Sequence, residues 1–307
     1  MPVELLVRPQ SMIPNAEFMR DTSFGSAVYS GVIDHGDGRT NSYIETVPEC
    51  PAFPDTAFIV CGGFTSEVSP EHNDYQTVQR QLAVNGEHSF GVGHTQHKNY
   101  EIGDNVDDII QTYAAVVSSG ISKVILVGHS MGCPEVLLAY KKIHEQADET
   151  ATAVTDIILV DPACFVEHNP KQLVTSIPLF VAEALAGFIK DPVGSTLRRL
   201  SILKNVFTNR GKYVKEAGFL LSNCEGPSMV AEIKNSKYAP KIHFVLGLWD
   251  GLTPGTSIER SVRDIPHDSL ANLRAGHLDF ACRAKVIDIM HAKVRIAQVI
   301  AADILTV

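Results

Sequence analysis

The sequence predicts an α/β protein whose mostly parallel central sheet is flanked by helices and interrupted by one helical insertion. Strand-length apolar runs alternate with helix-length amphipathic segments between residues 104 and 160, which is the pattern of βαβ units. The strand at Lys123–Val127 is apolar at every position after the lysine, as a strand covered on both faces is. The strand signal then disappears from Pro162 to Lys237 and returns at Ile242–Leu246.

The core is therefore predicted in two parts, residues 1–161 and 238–307, with residues 162–237 inserted between them as a helical cap or lid. In the first part, short strands are expected at Ser26–Ile33, Ser42–Thr46, Ala57–Cys61 and His88–Val92. An Asp- and Asn-rich start at Asp104 and apolar residues at helical spacing predict a helix that ends at Gly120. Strand Lys123–Val127, helix Gly132–Gln146 and strand Asp156–Val160 follow.

Helical patterns dominate the predicted cap. They lie at Ile177–Lys190, Ser195–Thr208 and Lys212–Leu221. The core resumes with the strand Ile242–Leu246, and a final amphipathic helix is expected near Ala284–Ile304.

Length and composition exclude several classes of protein. The 307 residues fit one large domain or a core with an insertion. Hydrophobic residues at 45% and charged residues at 20% exclude disordered, collagen-like and coiled-coil chains. The net charge of −9 has the wrong sign for binding nucleic acid through its phosphates.

The cysteines and the apolar stretches indicate the compartment. The six cysteines lie far apart with no Cys-x-x-Cys pair, so we expect reduced thiols and no metal site. The first twenty residues lack the apolar run of a secretory signal. The most apolar later stretch, Ile177–Ile189, has 13 residues and contains Glu183, which is too short to span a bilayer. We therefore expect a cytoplasmic protein with no transmembrane segment.

A Gly-x-Ser-x-Gly motif carries the chemistry. Gly128-His129-Ser130-Met131-Gly132 follows a buried strand and opens a helix. A sharp strand-to-helix turn lifts the serine hydroxyl above the edge of the sheet. Its two glycines are needed because the turn presses backbone against neighbouring backbone and leaves no room for side chains.

In this context the motif resembles the nucleophile elbow of the α/β-hydrolase superfamily, and the resemblance covers most of the chain outside the cap. Members of that superfamily order their catalytic triad as serine, acid, histidine. Asp250, in Gly247–Pro254, resembles the acid that follows the penultimate strand, and His277, in Ala275–Phe280, resembles the histidine before the last helix. The resemblance implies Ser130 as nucleophile, His277 as general base and then acid, and Asp250 as the group that orients the imidazole.

The resemblance also implies an oxyanion hole. The pair Gly62-Gly63 follows an early strand, where the family often has His-Gly, and Gly62 stands in place of that histidine. In this alignment the donors are the backbone N–H groups of Phe64 and Met131.

Several residues have two interpretations. Asp161 also follows a strand, and it is either the catalytic acid or a turn cap before Pro162. His129 is interpreted as a structural residue packed beneath the serine. Cys133, one turn after Ser130, is either a reactive thiol or a small buried residue.

Two further features stay open. His94 and His97 are either half of a metal site, which would need a third ligand, or residues that line a pocket or face solvent. The cap carries ten Lys and Arg against six Asp and Glu, a net charge of +4. This charge either attracts an anionic substrate or membrane surface, or belongs to solvated helix faces.

The sequence thus predicts a serine hydrolase, without cofactor or metal, that cleaves a carboxylic ester or thioester through an acyl-enzyme. Apolar cap residues would shape the acyl site, with Ile177, Leu179, Phe180, Leu185 and Phe188 as the candidates. An acyltransferase, a C–C hydrolase or a haloperoxidase could use the same site, and a non-catalytic ligand-binding relative is the alternative from another class. The oligomeric state is not predicted.

Overall fold

The computed structural model describes residues 9–21, 26–63, 68–70, 73–93, 102–146, 153–165, 225–248, 250, 255–273, 287–288 and 291–292. Within these ranges nine strands form one sheet. The strands are β1 Glu17–Asp21, β2 Ala27–Asp34, β3 Thr40–Val47, β4 Thr56–Cys61, β5 His88–Val92, β6 Lys123–His129, β7 Val154–Val160, β8 Lys241–Gly247 and β9 Ser269–Leu273. The helices are α1 Gln76–Val84, α2 Ile102–Ser118, α3 Gly132–Gln146, α4 Gly226–Lys234 and α5 Gly255–Val262, with a 3₁₀ turn at Ala163–Phe165.

The sheet has an antiparallel and a parallel part. Its strand order is β1-β2-β3-β5-β4-β6-β7-β8-β9. The first four strands of that order pair antiparallel, whereas β5, β4, β6, β7, β8 and β9 run parallel. The parallel strands therefore all bring their carboxyl ends to one edge, which is where sites form in open α/β sheets.

Helices cover both faces of the parallel part. Neighbouring residues of one strand face opposite layers, so Ile59 and Leu126 belong to one hydrophobic cluster while Phe58 and Ile125 belong to another. Helices α2 and α3 contribute to the first cluster and α1 to the second. Because both faces are covered, every residue of β4 and β5 is buried. The predicted α/β class with a mostly parallel sheet is confirmed.

The strongest sequence signals also gave the right boundaries. The strand His88–Val92 and the helix Gly132–Gln146 begin and end as predicted, and the other predicted core strands differ by one or two residues at an end. The prediction missed the strands β1 and β9 and the helices α1, α4 and α5. Strands β1 and β9 lie at the two edges of the described sheet, where one side of the strand pairs with no other strand that the structure describes, and their apolar pattern is weak.

The predicted cap lies largely outside the described residues. The three cap helices, and the five apolar candidates among them, fall within residues 166–224, and the cap boundaries therefore stay a prediction. Helix α4 lies inside the range assigned to the cap. Its Val230 and Ile233 are buried in the same hydrophobic cluster as the central strands. None of the helices described in the structure has the length and apolarity that a membrane span requires.

Candidate active site

Ser130 occupies a strained turn between β6 and α3. Its φ angle is 56°, in the left-handed region that residues with a side chain rarely adopt. Such a conformation costs roughly 1–3 kcal/mol and is typical of functional positions. The Ser130 N–H donates to the carbonyl of Val160 at the end of β7, 2.9 Å away. The Ser130 carbonyl accepts from the N–H groups of Cys133 and Ala163 at 3.1 and 3.3 Å. Both the N–H and the carbonyl of Ser130 are therefore bonded to the chain at or just after the end of β7.

The two motif glycines are packed as the sequence predicted. A Cβ atom on Gly132 would lie 2.6 Å from the carbonyl oxygens of both Cys61 and Gly62. A Cβ atom on Gly128 would lie 2.6 Å from the Gly132 oxygen and 2.7 Å from the Cys133 Cα. These neighbours are backbone atoms, which cannot move aside without shifting a strand or the elbow itself.

Gly132→Ala is therefore expected to destabilise the protein by about 1–3 kcal/mol, the usual cost of overpacking. Gly103→Ala is the matched control, because a Cβ on Gly103 in helix α2 meets nothing within 4 Å. Alanine is the better helix former by about 1 kcal/mol, so this control is expected to be neutral or stabilising. Urea denaturation of both variants measures the difference. Equal stabilities would contradict the packing described for the elbow.

Gly63 brings the predicted oxyanion loop beside the serine. A Cβ atom on Gly63 would lie 2.7 Å from the Ser130 Cβ and 3.3 Å from its Oγ. The Gly63 N–H donates to the hydroxyl of Tyr75 at 3.0 Å. That amide is therefore already used and is not directed to a substrate oxygen. Phe64, the predicted donor that follows, lies outside the described residues.

Met131, the other predicted donor, is buried at the start of α3, with 2% of its surface exposed. Among the residues placed by the structure, no acceptor is bonded to its backbone N–H. Backbone N–H groups at a helix N-terminus carry the positive end of the helix dipole. The position suits the stabilisation of a developing negative charge.

Asp250 lies at the same edge of the sheet as Ser130. It follows β8, which pairs with β7, which in turn pairs with the strand leading to Ser130. The residue is buried, and its N–H donates to the Gly247 carbonyl at 3.2 Å. Strand β9 comes after β8 in the chain and pairs with it, so β8 is the last but one of the described strands. His277 follows Leu273, the last residue of β9, by four positions and lies outside the described residues.

Asp161 supports the loop that carries Asp250. It has a left-handed φ of 45°, and its Oδ1 accepts the N–H of Gly247 at 2.5 Å. Its own N–H donates to the Val245 carbonyl at 3.0 Å. The carboxylate thus caps a backbone amide between β7 and β8, which supports the interpretation of Asp161 as a turn cap.

His129 is buried and its Nδ1 lies 2.9 Å from the Tyr75 hydroxyl. The interpretation of His129 as a packed structural residue is confirmed. Tyr75 itself was not identified from the sequence, because nothing in Asn73-Asp74-Tyr75 points to a residue more than fifty positions away. His94 and His97 lie outside the described residues.

Cys133 is a buried thiol in the first turn of α3. Its Sγ contacts the carbonyl oxygens of Gly128 at 3.1 Å and Val160 at 3.4 Å. Burial raises the pKa of the Cys133 thiol well above its usual range. The thiolate is the reactive form of cysteine, so a raised pKa lowers its fraction at any pH below that pKa. The interpretation of Cys133 as a small buried residue is confirmed.

The raised pKa and the burial of the Cys133 thiol predict that Cys133 is alkylated more slowly than the exposed Cys50. At pH 8, iodoacetamide is expected to alkylate the exposed Cys50 and to leave Cys133 unmodified for hours. Peptide mapping by mass spectrometry gives the extent at each site. Both sites are expected to react after unfolding in guanidinium chloride. Fast alkylation of Cys133 in the folded protein would restore the reactive-thiol interpretation.

Comparison with known proteins places the fold. No protein-family model and no curated protein sequence matches the chain. A thermophilic esterase from Thermogutta terrifontis superposes with a TM-score of 0.62 at 14% identity, covering 87% of this chain and 98% of the esterase. A bromoperoxidase from Bacillus anthracis gives a TM-score of 0.60 at 11% identity, over 87% of this chain and 99% of the bromoperoxidase. A membrane phospholipase A described as a bacterial virulence factor gives a TM-score of 0.61 at 15% identity. The match covers 89% of this chain and 87% of the phospholipase.

The chain has the α/β-hydrolase fold. The fold class that the resemblance implied is therefore confirmed, while the helical cap stays a prediction. Structures with the α/β-hydrolase fold host several chemistries, as an esterase, a bromoperoxidase and a phospholipase among these three illustrate. The reaction has to be argued from the site.

Proposed function

We propose that this α/β-hydrolase-fold protein is a serine hydrolase that cleaves a carboxylic ester or thioester, with Ser130 as nucleophile, His277 as general base and Asp250 as its orienting acid. One observation carries the proposal: Ser130 occupies a strained left-handed turn, with a φ of 56°, at the carboxyl edge of the sheet. The structure maintains that turn with glycines against backbone on both sides of the motif. Strained left-handed conformations cluster at active sites, so this φ supports a chemical role for Ser130.

The reaction would proceed in two halves. His277 accepts the proton of the Ser130 hydroxyl as Oγ attacks the carbonyl carbon, and a tetrahedral oxyanion forms. The intermediate collapses to an acyl-serine when the bond to the leaving oxygen or sulfur breaks, and the leaving group takes the proton from His277. Water then repeats the sequence on the acyl-serine, which releases the acid and restores the serine. Asp250 keeps the imidazole in the tautomer that can accept the proton.

The oxyanion would be held by the N–H groups of Met131 and Phe64. Met131 supports this because its amide lies at the helix N-terminus directly after the nucleophile. The Gly63 amide is already bonded to the Tyr75 hydroxyl, so the proposal assigns the role in this loop to Phe64 and not to Gly63.

The proposed substrate is a small ester or thioester with an apolar acyl part, and no nucleic acid, metal or cofactor enters the reaction. The proposed location is the cytoplasm. Three cysteines of the described chain, Cys50, Cys61 and Cys133, are free thiols, which supports a reducing compartment.

A substrate panel tests the proposal. We expect turnover of p-nitrophenyl esters of graded chain length, or of acyl-CoA thioesters of matched length, with an initial burst of the leaving group when the acyl-enzyme accumulates. Purified Ser130→Ala protein serves as the control and is expected to lack both burst and turnover. Turnover that survives in Ser130→Ala would assign the activity to another site or to a contaminant.

A further inference from the structure

We propose that Tyr75 is a positioning residue of this active site, whose hydroxyl holds the predicted oxyanion loop against the nucleophile elbow. The inference rests on the proposed serine hydrolase function. It gives a role to a side chain that the triad and the oxyanion donors do not include.

One phenol oxygen joins the two loops. The Tyr75 hydroxyl accepts the N–H of Gly63 at 3.0 Å and lies 2.9 Å from the Nδ1 of His129. Because an amide N–H can only donate, the Tyr75 hydroxyl accepts from Gly63 through one lone pair, and its contact with the His129 Nδ1 is a second hydrogen bond. The two rings also pack edge to face, with centroids 6.1 Å apart.

The hydrogen bonds of the Tyr75 hydroxyl lie where the chain segments that follow β4 and β6 separate. Strands β4 and β6 pair as far as Cys61 and Gly128, and beyond that pair no ladder bond joins them. Gly63 is two residues past the end of β4, and His129 immediately precedes Ser130. Tyr75 therefore supplies a bond between the loop and the elbow next to the position at which a substrate carbonyl would sit.

The packing at Gly63 makes this position sensitive. A Cβ on Gly63 would lie 2.7 Å from the Ser130 Cβ, so the loop backbone passes in direct contact with the nucleophile. A displacement of Gly63 would carry the following amide, that of Phe64, with it. Misplacement of a reacting group by 1 Å can cost about 10²-fold in rate. Gly62 occupies the position of the histidine that the family often has in this loop, and Tyr75 provides a side-chain hydrogen bond to the loop from elsewhere in the chain.

Tyr75 is itself held in place from the sheet. Its N–H donates to the Oδ1 of Asn73 at 2.9 Å, and the Asn73 amide donates to the Oε1 of Gln79 at 2.6 Å. The Gln79 amide donates in turn to the carbonyl of Ile44 in β3 at 2.7 Å. The Tyr75 and Gln79 side chains are buried, so these bonds are shielded from water. The phenol is thus pre-positioned before any substrate arrives.

Tyr140 provides a matched control for the loss of one buried hydroxyl. It is as buried as Tyr75, and its hydroxyl donates to the Tyr238 carbonyl at 3.1 Å, towards the far end of α3 from the elbow. Tyr75→Phe and Tyr140→Phe are expected to lower the melting temperature by similar amounts. Only Tyr75→Phe is expected to lower kcat, by about 10- to 100-fold, with KM changed less than about threefold.

A transition-state probe separates positioning from general loosening. In a trifluoromethyl ketone, the carbonyl carbon is attacked by the serine Oγ. The tetrahedral adduct carries a negatively charged oxygen, which mimics the transition state in the oxyanion hole. We expect Tyr75→Phe to raise its inhibition constant by the same factor by which kcat falls, and Tyr140→Phe to leave it unchanged. An unchanged inhibition constant in Tyr75→Phe, or equal effects of both variants, would overturn the inference. A wild-type protein that reacts with neither the ketone nor a fluorophosphonate contradicts the proposed function itself, and with it this inference.

A second pair of variants tests the same link from the other side, should Tyr75→Phe fail to fold. His129→Asn keeps a hydrogen-bonding group for the Tyr75 hydroxyl, whereas His129→Leu removes it. We expect the asparagine variant to bind the trifluoromethyl ketone at least about fivefold more tightly than the leucine variant. Equal binding by the two variants would show that the hydrogen bond between Tyr75 and residue 129 does not position the site.

Discussion

Ser130→Ala is expected to lower kcat on the best ester substrate by about 10⁴- to 10⁶-fold, the loss typical of a missing serine nucleophile. The substitution removes only Oγ and keeps the backbone bonds of residue 130 to Val160, Cys133 and Ala163. The melting temperature is therefore expected to change by no more than a few degrees. Single-turnover and steady-state kinetics on the same preparation measure the loss.

Ser119→Ala is the matched control for this experiment. The Ser119 hydroxyl donates to the Val116 carbonyl at 2.6 Å, just beyond the end of α2 and near the start of β6, at the opposite edge of the sheet from Ser130. The kcat of Ser119→Ala is expected to stay within about twofold of wild type, because Ser119 lies at the opposite edge of the sheet from the proposed site. A Ser130→Ala protein that retains a tenth or more of wild-type kcat is incompatible with a serine nucleophile at this position.

The second large effect is expected at Asp250. Asp250→Asn is predicted to lower kcat by about 10⁴-fold, because an amide favours the imidazole tautomer that cannot accept the serine proton. Asp161→Asn is the control at the other candidate acid. Its amide oxygen can still accept the Gly247 N–H that the Asp161 Oδ1 accepts now, and asparagine tolerates the φ of 45°. We expect kcat of that control to stay within about threefold of wild type.

A double variant links Asp250 to His277. If Asp250 acts only through the imidazole, adding Asp250→Asn to His277→Ala is expected to cost no more than a few-fold beyond His277→Ala alone, since residues of one catalytic unit are not additive. Steady-state kinetics of the two single variants and the double variant complete the cycle. If the factors by which the two single substitutions lower kcat multiply in the double variant, Asp250 has a role separate from that of His277. A larger loss in Asp161→Asn than in Asp250→Asn would move the acid to the end of β7.

The sequence predicted the central sheet and the elbow because both are dictated locally. Strands covered on both faces are commonly apolar, as β6 is from Val124 to Val127, and this run is visible without knowledge of the rest of the fold. The elbow requires glycines where the backbone meets Cys61 and Gly62. The helix that follows then has to begin at Gly132, as the sequence indicated.

The edges of the sheet and the support of the site could not be predicted in the same way. Strand β9 has the sequence Ser-Leu-Ala-Asn-Leu, and only its central alanine is fully buried, so its pattern is too weak to separate from a loop. The bond between Tyr75 and His129 joins residues 54 positions apart. The bond between Asp161 and Gly247 joins residues 86 positions apart. Only the folded sheet brings these pairs together, and no local pattern in the sequence records them.

The measurement that tests the proposed function most directly is covalent labelling with a fluorophosphonate, followed by peptide mapping of the adduct. A serine becomes reactive to this probe when an imidazole accepts its proton. We expect one adduct per folded chain, on the peptide that contains Ser130, and no adduct in Ser130→Ala. Absence of an adduct in folded wild-type protein, or an adduct on a residue other than Ser130, would contradict the serine hydrolase proposed for this chain.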